Sequence, residues 1–154
     1  MSRVFKFGGA SVKNAKAVIN MTGIIHSQLK ESEQLIVVVS AMGKTTNALE
    51  NLLDSVWNNR DSKSELKRIK TFHQDIIQDL ELTNEKNFNN EISNLIIELE
   101  ETLLGISNNK EISHAEAYDR IVPFGELFST KIISKYLEKS GIKNTYIDAR
   151  KYIK

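Results

Sequence analysis

The first forty residues alternate between strand-like and helix-like hydrophobic patterns. Apolar side chains flank Lys6 over residues 4–7, which is typical of a strand buried in a parallel sheet. Apolar residues then recur at spacings of three and four, which predicts a helix over residues 14–30. A mostly β-branched run at residues 35–39 predicts a second buried strand. Strand, helix and strand in this order predict a right-handed βαβ unit with parallel strands.

The middle of the chain has helical periodicity throughout. Apolar stripes fill residues 61–104, and an Asn-rich segment at residues 84–90 predicts a loop between two helices. Ser62 and Ser113 are each followed by a glutamate three residues later, which predicts a capping box at both. We therefore interpret residues 60–112 as a helical insertion.

Further helices are predicted on either side of that insertion. Asn47 has the side chain and the following pattern of a residue that caps a helix N-terminus. Pro123, the only proline, interrupts the helical pattern, so a new helix is expected to begin near Glu126. Gly141 is placed to end that helix, and a β pattern resumes at residues 145–148.

Length and composition favour one domain that needs no cross-links. The chain has 154 residues, of which 40% are hydrophobic, enough to bury the core of a single domain. The absence of cysteine excludes disulfides, thiolate catalysis and cysteine-ligated metal. His26, His73 and His114 are far apart in sequence, so surface or partly buried histidines are favoured over a metal site.

Charge and hydropathy exclude two further classes of partner. The net charge is +1, from 21 basic and 20 acidic residues, and no basic block is interleaved with aromatic residues. We therefore expect no nucleic-acid partner. No apolar run approaches the roughly 18 residues of a membrane span, and the N-terminus lacks a signal-peptide pattern. A soluble, cytoplasmic protein with no membrane partner is expected.

Lys6 opens the first of three polar segments, with the sequence KFGGAS. A lysine in a buried strand needs an anionic partner, because an unpaired buried ammonium is destabilising. Gly8 and Gly9 lack Cβ atoms, so backbone N–H groups there can approach a ligand closely. Ala10 and Ser11 lead toward a helix N-terminus, which favours negative charge. The segment indicates a phosphate site, and a plain strand-to-helix turn with a solvent-reaching lysine is the alternative.

The second polar segment, SAMGKTTN at residues 40–47, follows the second predicted strand. The carboxyl ends of parallel strands meet at one edge of a sheet, so this turn and the first segment should lie together. The hydroxyls of Ser40 and Thr46 are suitable ligands for a small polar substrate, and a simple capping turn is the alternative. A phosphate-binding P-loop is excluded, because Val38 stands where that motif requires its first glycine.

The third polar segment lies at the start of the last predicted helix. Glu126, Ser129 and Thr130 have spacings of three and four, which place them on one side of the first helical turns. A carboxylate presented there to a cavity can receive a substrate ammonium group. Ordinary compensation of the helix dipole by Glu126 is the alternative, worth only about 0.3 to 1 kcal/mol.

Together the three segments resemble one enzyme family. KFGGAS, VVSAM with the following Thr46-Asn47, and GELFST closely resemble the motifs of the aspartate kinases, which belong to the amino-acid kinase family. Their order and spacing match along the whole chain, including the helical insertion. The resemblance implies an α/β fold of three layers, α/β/α, with a mainly parallel sheet that is incomplete in this chain.

The resemblance also implies a reaction and a set of residue roles. Aspartate kinases use ATP and Mg²⁺ to phosphorylate the β-carboxylate of L-aspartate, which gives 4-phospho-L-aspartate, the first step toward lysine, threonine and methionine. The residues implied at the nucleotide phosphates are Lys6, Gly8, Gly9, Ala10 and Ser11. Lys6 and Ser40 are implied to act in catalysis, with Ser40 near the reaction centre. Ser40, Thr46 and Glu126 are implied to bind aspartate, Glu126 through the amino group, and no protein metal ligand is implied.

The chain departs from the family in two ways. Ala10 stands where the family more often has threonine, which removes a hydroxyl but keeps the backbone N–H. Aspartate kinases also continue into an ATP-binding half and regulatory domains. We therefore expect residues 1–154 to be the N-terminal part of a catalytic domain, without kinase activity alone and part of a homo-oligomer in the full-length enzyme.

Three alternatives stay open from the sequence. The chain can belong to a kinase fused to homoserine dehydrogenase. It can belong to another member of the amino-acid kinase family, acting on glutamate, carbamate or a nucleotide. It can also be a non-catalytic binding or assembly module, in which the three polar segments are only turns and caps.

Overall fold

The computed structural model describes residues 2–29, 34–109 and 111–152. Those residues form two strands and six α-helices, with two short 3-10 turns at Gly9–Val12 and Ala149–Lys151. The strands and helices are β1 (Ser2–Phe7), α1 (Ala15–Gln28), β2 (Gln34–Val39), α2 (Thr45–Trp57), α3 (Lys63–Asp79), α4 (Lys86–Asn108), α5 (His114–Ile121) and α6 (Phe124–Lys139). None of the described helices has the length and hydropathy that a membrane crossing requires.

The predicted βαβ unit is present at the N-terminus. β1 and β2 pair in parallel, with Phe7 opposite Val39 at their carboxyl ends. Helix α1 connects them and begins where predicted, because the Asn14 side chain accepts a hydrogen bond from the Ala17 N–H at 3.0 Å. The predicted helix end at Lys30 lies outside the described residues. The α/β class with a parallel sheet is confirmed.

The strands are less buried than their apolar sequences predict. Val4, Ile36 and Val38 are 62%, 52% and 45% exposed, whereas Leu35 and Val37 on the other face pack against the core. Successive side chains of a strand point to opposite faces, and the described helices cover only one of them. The prediction of two buried strands is therefore wrong for the outer face of the sheet.

Most of the core lies between helices. Helix α2 packs against α3, α4, α5 and α6, so it is the central element of the helical part. The completely buried side chains there include Leu49, Leu52, Ile121 and Ile132. Helices α3 and α4 occupy the segment that was predicted to be a helical insertion.

The predicted start of α2 is wrong, the start of α3 after Ser62 is confirmed, and of the two predicted capping boxes only the serine cap at Ser113 forms. Helix α2 begins at Thr45 rather than Asn47, because the Thr45 hydroxyl donates to the Met42 carbonyl at 2.6 Å and closes the turn two residues earlier. Ser62 makes no capping bond, and the Asp61 carboxylate accepts from the Lys63 N–H at 3.0 Å instead. Ser113 does cap α5, accepting from the Glu116 N–H at 3.2 Å.

The remaining boundaries differ modestly from prediction. Helix α4 begins at Lys86, so the loop predicted at residues 84–90 is shorter than expected. Helix α6 begins at Phe124, directly after Pro123, and ends before Gly141, whose φ of +82° suits glycine. The strand predicted at residues 145–148 does not form, because no neighbouring strand in the described part of the chain pairs with it.

Candidate functional site

The first two polar segments meet at the carboxyl ends of β1 and β2. The Ser40 N–H donates to the Phe7 carbonyl at 3.0 Å, and the Gly43 N–H donates to the Gly9 carbonyl at 3.2 Å. A Cβ atom on Gly9 would lie only 2.8 Å from the Ala41 carbonyl oxygen, so this close approach requires glycine. The prediction that both segments lie on the same edge of the sheet is confirmed.

Lys6 stands at this edge but is exposed rather than buried. It lies on the open face of the sheet, opposite Val38, so the argument from burial of its charge does not hold. Its Nζ lies 3.9 Å from the position that a Cβ of Gly8 would take, so the ammonium group reaches back over the first turn. In the described ranges Lys6 has no ion-pair partner, which leaves its charge available to an anion.

The first turn offers fewer backbone donors than its sequence indicates. Residues 9–12 form a 3-10 turn in which the Ser11 N–H already donates to the Gly8 carbonyl at 2.9 Å. Ser11 can therefore contribute its hydroxyl but not its amide. Ala10 and Ser11 are both exposed, so this side of the turn is accessible to a ligand.

The second turn presents two hydroxyls beside a tightly bent backbone. Gly43 has a φ of +56°, a conformation that glycine adopts without strain. Ser40 and Thr46 are half-buried, and neither hydroxyl has a hydrogen-bond partner within residues 2–29, 34–109 and 111–152. Both can therefore bind a ligand. The Thr45 hydroxyl cannot, because it is bonded to the Met42 carbonyl.

The third polar segment packs directly against the second. The half-buried Glu126 carboxylate accepts a long hydrogen bond from the Ala41 N–H, at 3.4 Å. The fully buried Ser129 hydroxyl donates to the Ser40 carbonyl at 2.8 Å. A Cβ on Gly125 would lie 2.8 Å from the Cβ of Ala41, so glycine permits this contact. Helix α6 thus places Glu126 beside Ser40.

The polar side chains at the start of α6 differ in which hydrogen bonds they already make. The Thr130 hydroxyl donates to the Glu126 carbonyl at 2.6 Å, so it is used within its own helix. Ser129 joins α6 to the second turn, as described above. Glu126 is the only charged residue of the three, and its carboxylate accepts a single long hydrogen bond, so it has the most remaining capacity to accept from a ligand.

A tyrosine and a glutamate near Glu126 were not singled out by the sequence. The Tyr118 hydroxyl donates to the Glu50 carboxylate at 2.9 Å and so joins α5 to α2. This hydrogen bond is the main cause that raises the pKa of Tyr118, and the nearby charge of Glu126 adds to it. No sequence signal pairs these residues, because 68 positions separate them.

His73 is more buried than expected from the sequence, which favoured surface or partly buried histidines. It is 2% exposed, and burial lowers its pKa to about 4, so it is neutral at physiological pH. The described residues contain no group of three His, Cys, Asp or Glu side chains that could hold a metal ion.

Comparison with known proteins identifies the family. The model of the amino acid kinase family matches residues 1–154. Aspartokinase 1 from chloroplasts of Arabidopsis thaliana is 35% identical over 150 residues, covering 95% of this chain and 25% of that protein. The bifunctional aspartokinase/homoserine dehydrogenase 2 of Escherichia coli K12 is 28% identical over 155 residues, covering 99% of this chain and 18% of that protein.

A solved structure shares the fold. Escherichia coli aspartokinase III, in complex with aspartate and ADP, has a TM-score of 0.78 and 25% sequence identity to this chain. The match covers 98% of this chain and 32% of that one. The chain thus spans 18% to 32% of the length of these relatives. Since the family model covers every residue, the chain belongs to the amino acid kinase family.

Proposed function

We propose that the chain forms the aspartate-binding wall of an aspartate kinase. In this reaction an oxygen of the aspartate β-carboxylate forms a bond to the γ-phosphorus of ATP, the bond from that phosphorus to the β,γ-bridging oxygen breaks, and ADP leaves. One observation carries the proposal: three polar segments from distant parts of the sequence converge at one edge of the sheet. Aspartokinases that match 95% or more of the chain support the choice of substrate.

The first turn is proposed to bind the nucleotide phosphates. The Lys6 ammonium lies over the turn and would stabilise negative charge on the transferring phosphoryl group. Gly9 lets the first turn pack against the second, Gly8 lies under the Lys6 ammonium, and Ala10 and Ser11 are exposed on the same turn. An exposed cation and a glycine turn fit a phosphate chain, and the aspartokinase III structure contains ADP.

The second turn and α6 are proposed to hold aspartate. The unengaged hydroxyls of Ser40 and Thr46 would donate to substrate carboxylates, and Glu126 would accept from the substrate ammonium group. Ser40 directly follows β2, and its N–H bonds to the Phe7 carbonyl at the end of β1, so it is also assigned to the reaction centre. No strong general base is required, because a carboxylate is already ionised at neutral pH. Catalysis then depends on positioning and charge stabilisation.

Mg²⁺ is proposed to enter with the nucleotide. The described residues offer no cluster of metal ligands at the site, so the phosphates themselves would hold most of the ion's coordination sphere. The ion would supply neutralisation of phosphate charge. The chain's own contribution remains the Lys6 ammonium and the donors of the first turn.

The complete activity is proposed for a longer protein, because the aspartokinases that match this chain are three to six times its length. The chain alone is predicted to lack kinase activity. The place at the start of lysine, threonine and methionine synthesis, the homo-oligomer and the cytoplasmic location stay predictions.

A substitution at Glu126 tests the proposed substrate. In a full-length enzyme that carries this chain, Glu126→Gln removes the negative charge at nearly constant shape. We expect the KM for aspartate to rise about tenfold or more, because a charge-assisted hydrogen bond is worth about 1.5–3 kcal/mol. The KM for ATP should change by less than about twofold.

Steady-state kinetics with each substrate varied separately measures both constants. Glu101→Gln on α4 is the matched control, since Glu101 is exposed and makes no hydrogen bond or ion pair with the three polar segments in the described residues. Unchanged saturation by aspartate in Glu126→Gln would remove this residue from the substrate site.

A further inference from the structure

Helix α3 reaches the second turn of the candidate site. The Phe72 ring tip, atom Cζ, lies 3.2 Å from the position that a Cβ of Gly43 would take. The Lys13 carbonyl oxygen lies 3.4 Å from the same Cβ position of Gly43. Gly43 is exposed, but the end of the Phe72 ring lies beside it and its N–H bonds to the Gly9 carbonyl. The helical insertion is in contact with the site and is more than a separate structural element.

The next residue on α3 connects this ring to α6. The rings of Phe72 and His73 meet edge to face, with centroids 5.1 Å apart. The His73 ring in turn lies over Phe128 of α6, with centroids 4.7 Å apart. Phe128 directly precedes Ser129, whose hydroxyl bonds to the Ser40 carbonyl. The row of three rings thus touches both walls of the candidate aspartate site.

The orientation of the central ring is held from within α3. The His73 Nδ1 lies 2.8 Å from the Ile69 carbonyl, and a carbonyl only accepts, so Nδ1 carries the proton. Nε2 is buried and has no hydrogen-bond partner among the residues that the structure describes. His73 is therefore a neutral ring in this stack, and through Phe128 it packs α3 against α6.

We propose that Phe72 is a positioning residue for the turn at residues 40–46, and that α3 braces the candidate aspartate site through the rings of Phe72, His73 and Phe128. The ring holds the Gly43 backbone, and through it the Ser40 and Thr46 hydroxyls on either side. The structural part of this inference stands on the contacts alone. Its kinetic part rests on the proposed function.

Hydrogen exchange tests the structural part without any assay of activity. In the full-length enzyme, Phe72→Ala removes the ring from Gly43, and Leu66→Ala removes a similar apolar side chain from α3. Leu66 is half-buried and packs against the core, so it is a matched control for lost packing. We expect exchange in a peptide covering residues 40–46 to accelerate about tenfold in Phe72→Ala. Equal acceleration in both variants, or none in either, would overturn the positioning role.

Kinetics tests the consequence for the site. For Phe72→Ala we expect the KM for aspartate to rise about fivefold and the KM for ATP to change less than about twofold. Phe72→Leu, which restores apolar volume next to Gly43, should recover most of the loss, and Leu66→Ala should leave both constants unchanged. A parallel rise for both substrates in Phe72→Ala and Leu66→Ala would reduce Phe72 to a packing residue.

The two experiments separate this inference from the proposed function. If the wild-type enzyme forms no product from aspartate, the proposed function fails, while the exchange experiment still decides whether Phe72 holds the turn. If aspartate is the substrate and Phe72→Ala leaves exchange and KM unchanged, only the positioning role fails.

Discussion

At the scale of single residues, the neutral His73 makes stability depend on pH. Its pKa is lowered from 6.5 to about 4 because it is buried, and the hydrogen bond to Ile69 opposes this shift only in part. The folded chain thus keeps His73 neutral between these values, whereas the unfolded chain binds a proton. Stability is therefore lost as pH falls from about 6.5 toward 4, and above that window His73 contributes no pH dependence.

Chemical denaturation of this chain at a series of pH values measures the effect. His73→Phe keeps a ring between Phe72 and Phe128 but cannot be protonated. Between pH 6.5 and 4 we expect the free energy of unfolding of the wild type to fall by about 3 kcal/mol more than that of His73→Phe. The difference follows from the lowering of the His73 pKa from 6.5 to about 4. His26→Phe is the control, since His26 is exposed on α1. The stability of this variant should depend on pH as that of the wild type does. Equal pH dependence in wild type and His73→Phe would contradict the account.

The sequence predicts some residues of the site better than others. The close approach at Gly9 is predictable locally, because a glycine pair after a strand indicates it, whereas Glu126 in a first helical turn is equally explained by the helix dipole. The exposure of Lys6 is not predictable locally, since it depends on what covers the sheet. Ser129 and Phe72 are equally hidden, because their partners lie many positions away in the chain.

At the scale of elements, the contact between α6 and the second turn depends on a glycine. A methyl group at Gly125 would lie 2.8 Å from the Ala41 Cβ and 3.3 Å from Leu49 Cδ1. We expect Gly125→Ala to push α6 away and to destabilise the chain by about 1–3 kcal/mol, as overpacking does. Thermal or urea unfolding measures this change.

Gly23 provides a control inside another helix. Gly23 lies within α1, and no atom stands within 4 Å of where its Cβ would be. Gly23→Ala should therefore stabilise the chain by about 0.5–1 kcal/mol through helix propensity. If Gly125→Ala and Gly23→Ala both raise the free energy of unfolding, α6 does not pack against the second turn as closely as described.

Helices with strong local signals were predicted well, and those whose ends depend on distant contacts were not. Helix α1 has both an apolar stripe and a capping asparagine, and α5 has a capping serine, so their starts are encoded locally. Helix α2 starts earlier than Asn47 because Thr45 also bonds to Met42 and packs against α6. Local pattern alone does not distinguish these two starts.

At the scale of the whole molecule, parallel topology brings the site together. Ser40 and Ser129 are 89 positions apart, yet they are bonded, because α6 packs at the end of β2. The sheet of the described residues has two strands, and its outer face is exposed. Most of the core is therefore formed by the helices. The candidate site therefore lies at the boundary of the core formed by the described residues, with one side accessible to solvent.

The central claim is that this edge is one wall of an aspartate kinase site. The most direct test is formation of an acyl phosphate by a full-length enzyme that carries this chain. Acyl phosphates react with hydroxylamine to give a hydroxamate, which reports the product regardless of ATP hydrolysis. Lys6→Ala removes the proposed phosphate contact, and Lys67→Ala, an exposed lysine on α3, is the matched control.

The account predicts hydroxamate from L-aspartate and ATP with Mg²⁺, and none from glutamate or carbamate. It predicts that Lys6→Ala lowers kcat/KM at least about tenfold, or roughly 1.4 kcal/mol, and that Lys67→Ala leaves it unchanged. No product from aspartate, or a loss in Lys6→Ala smaller than in Lys67→Ala, would contradict the claim.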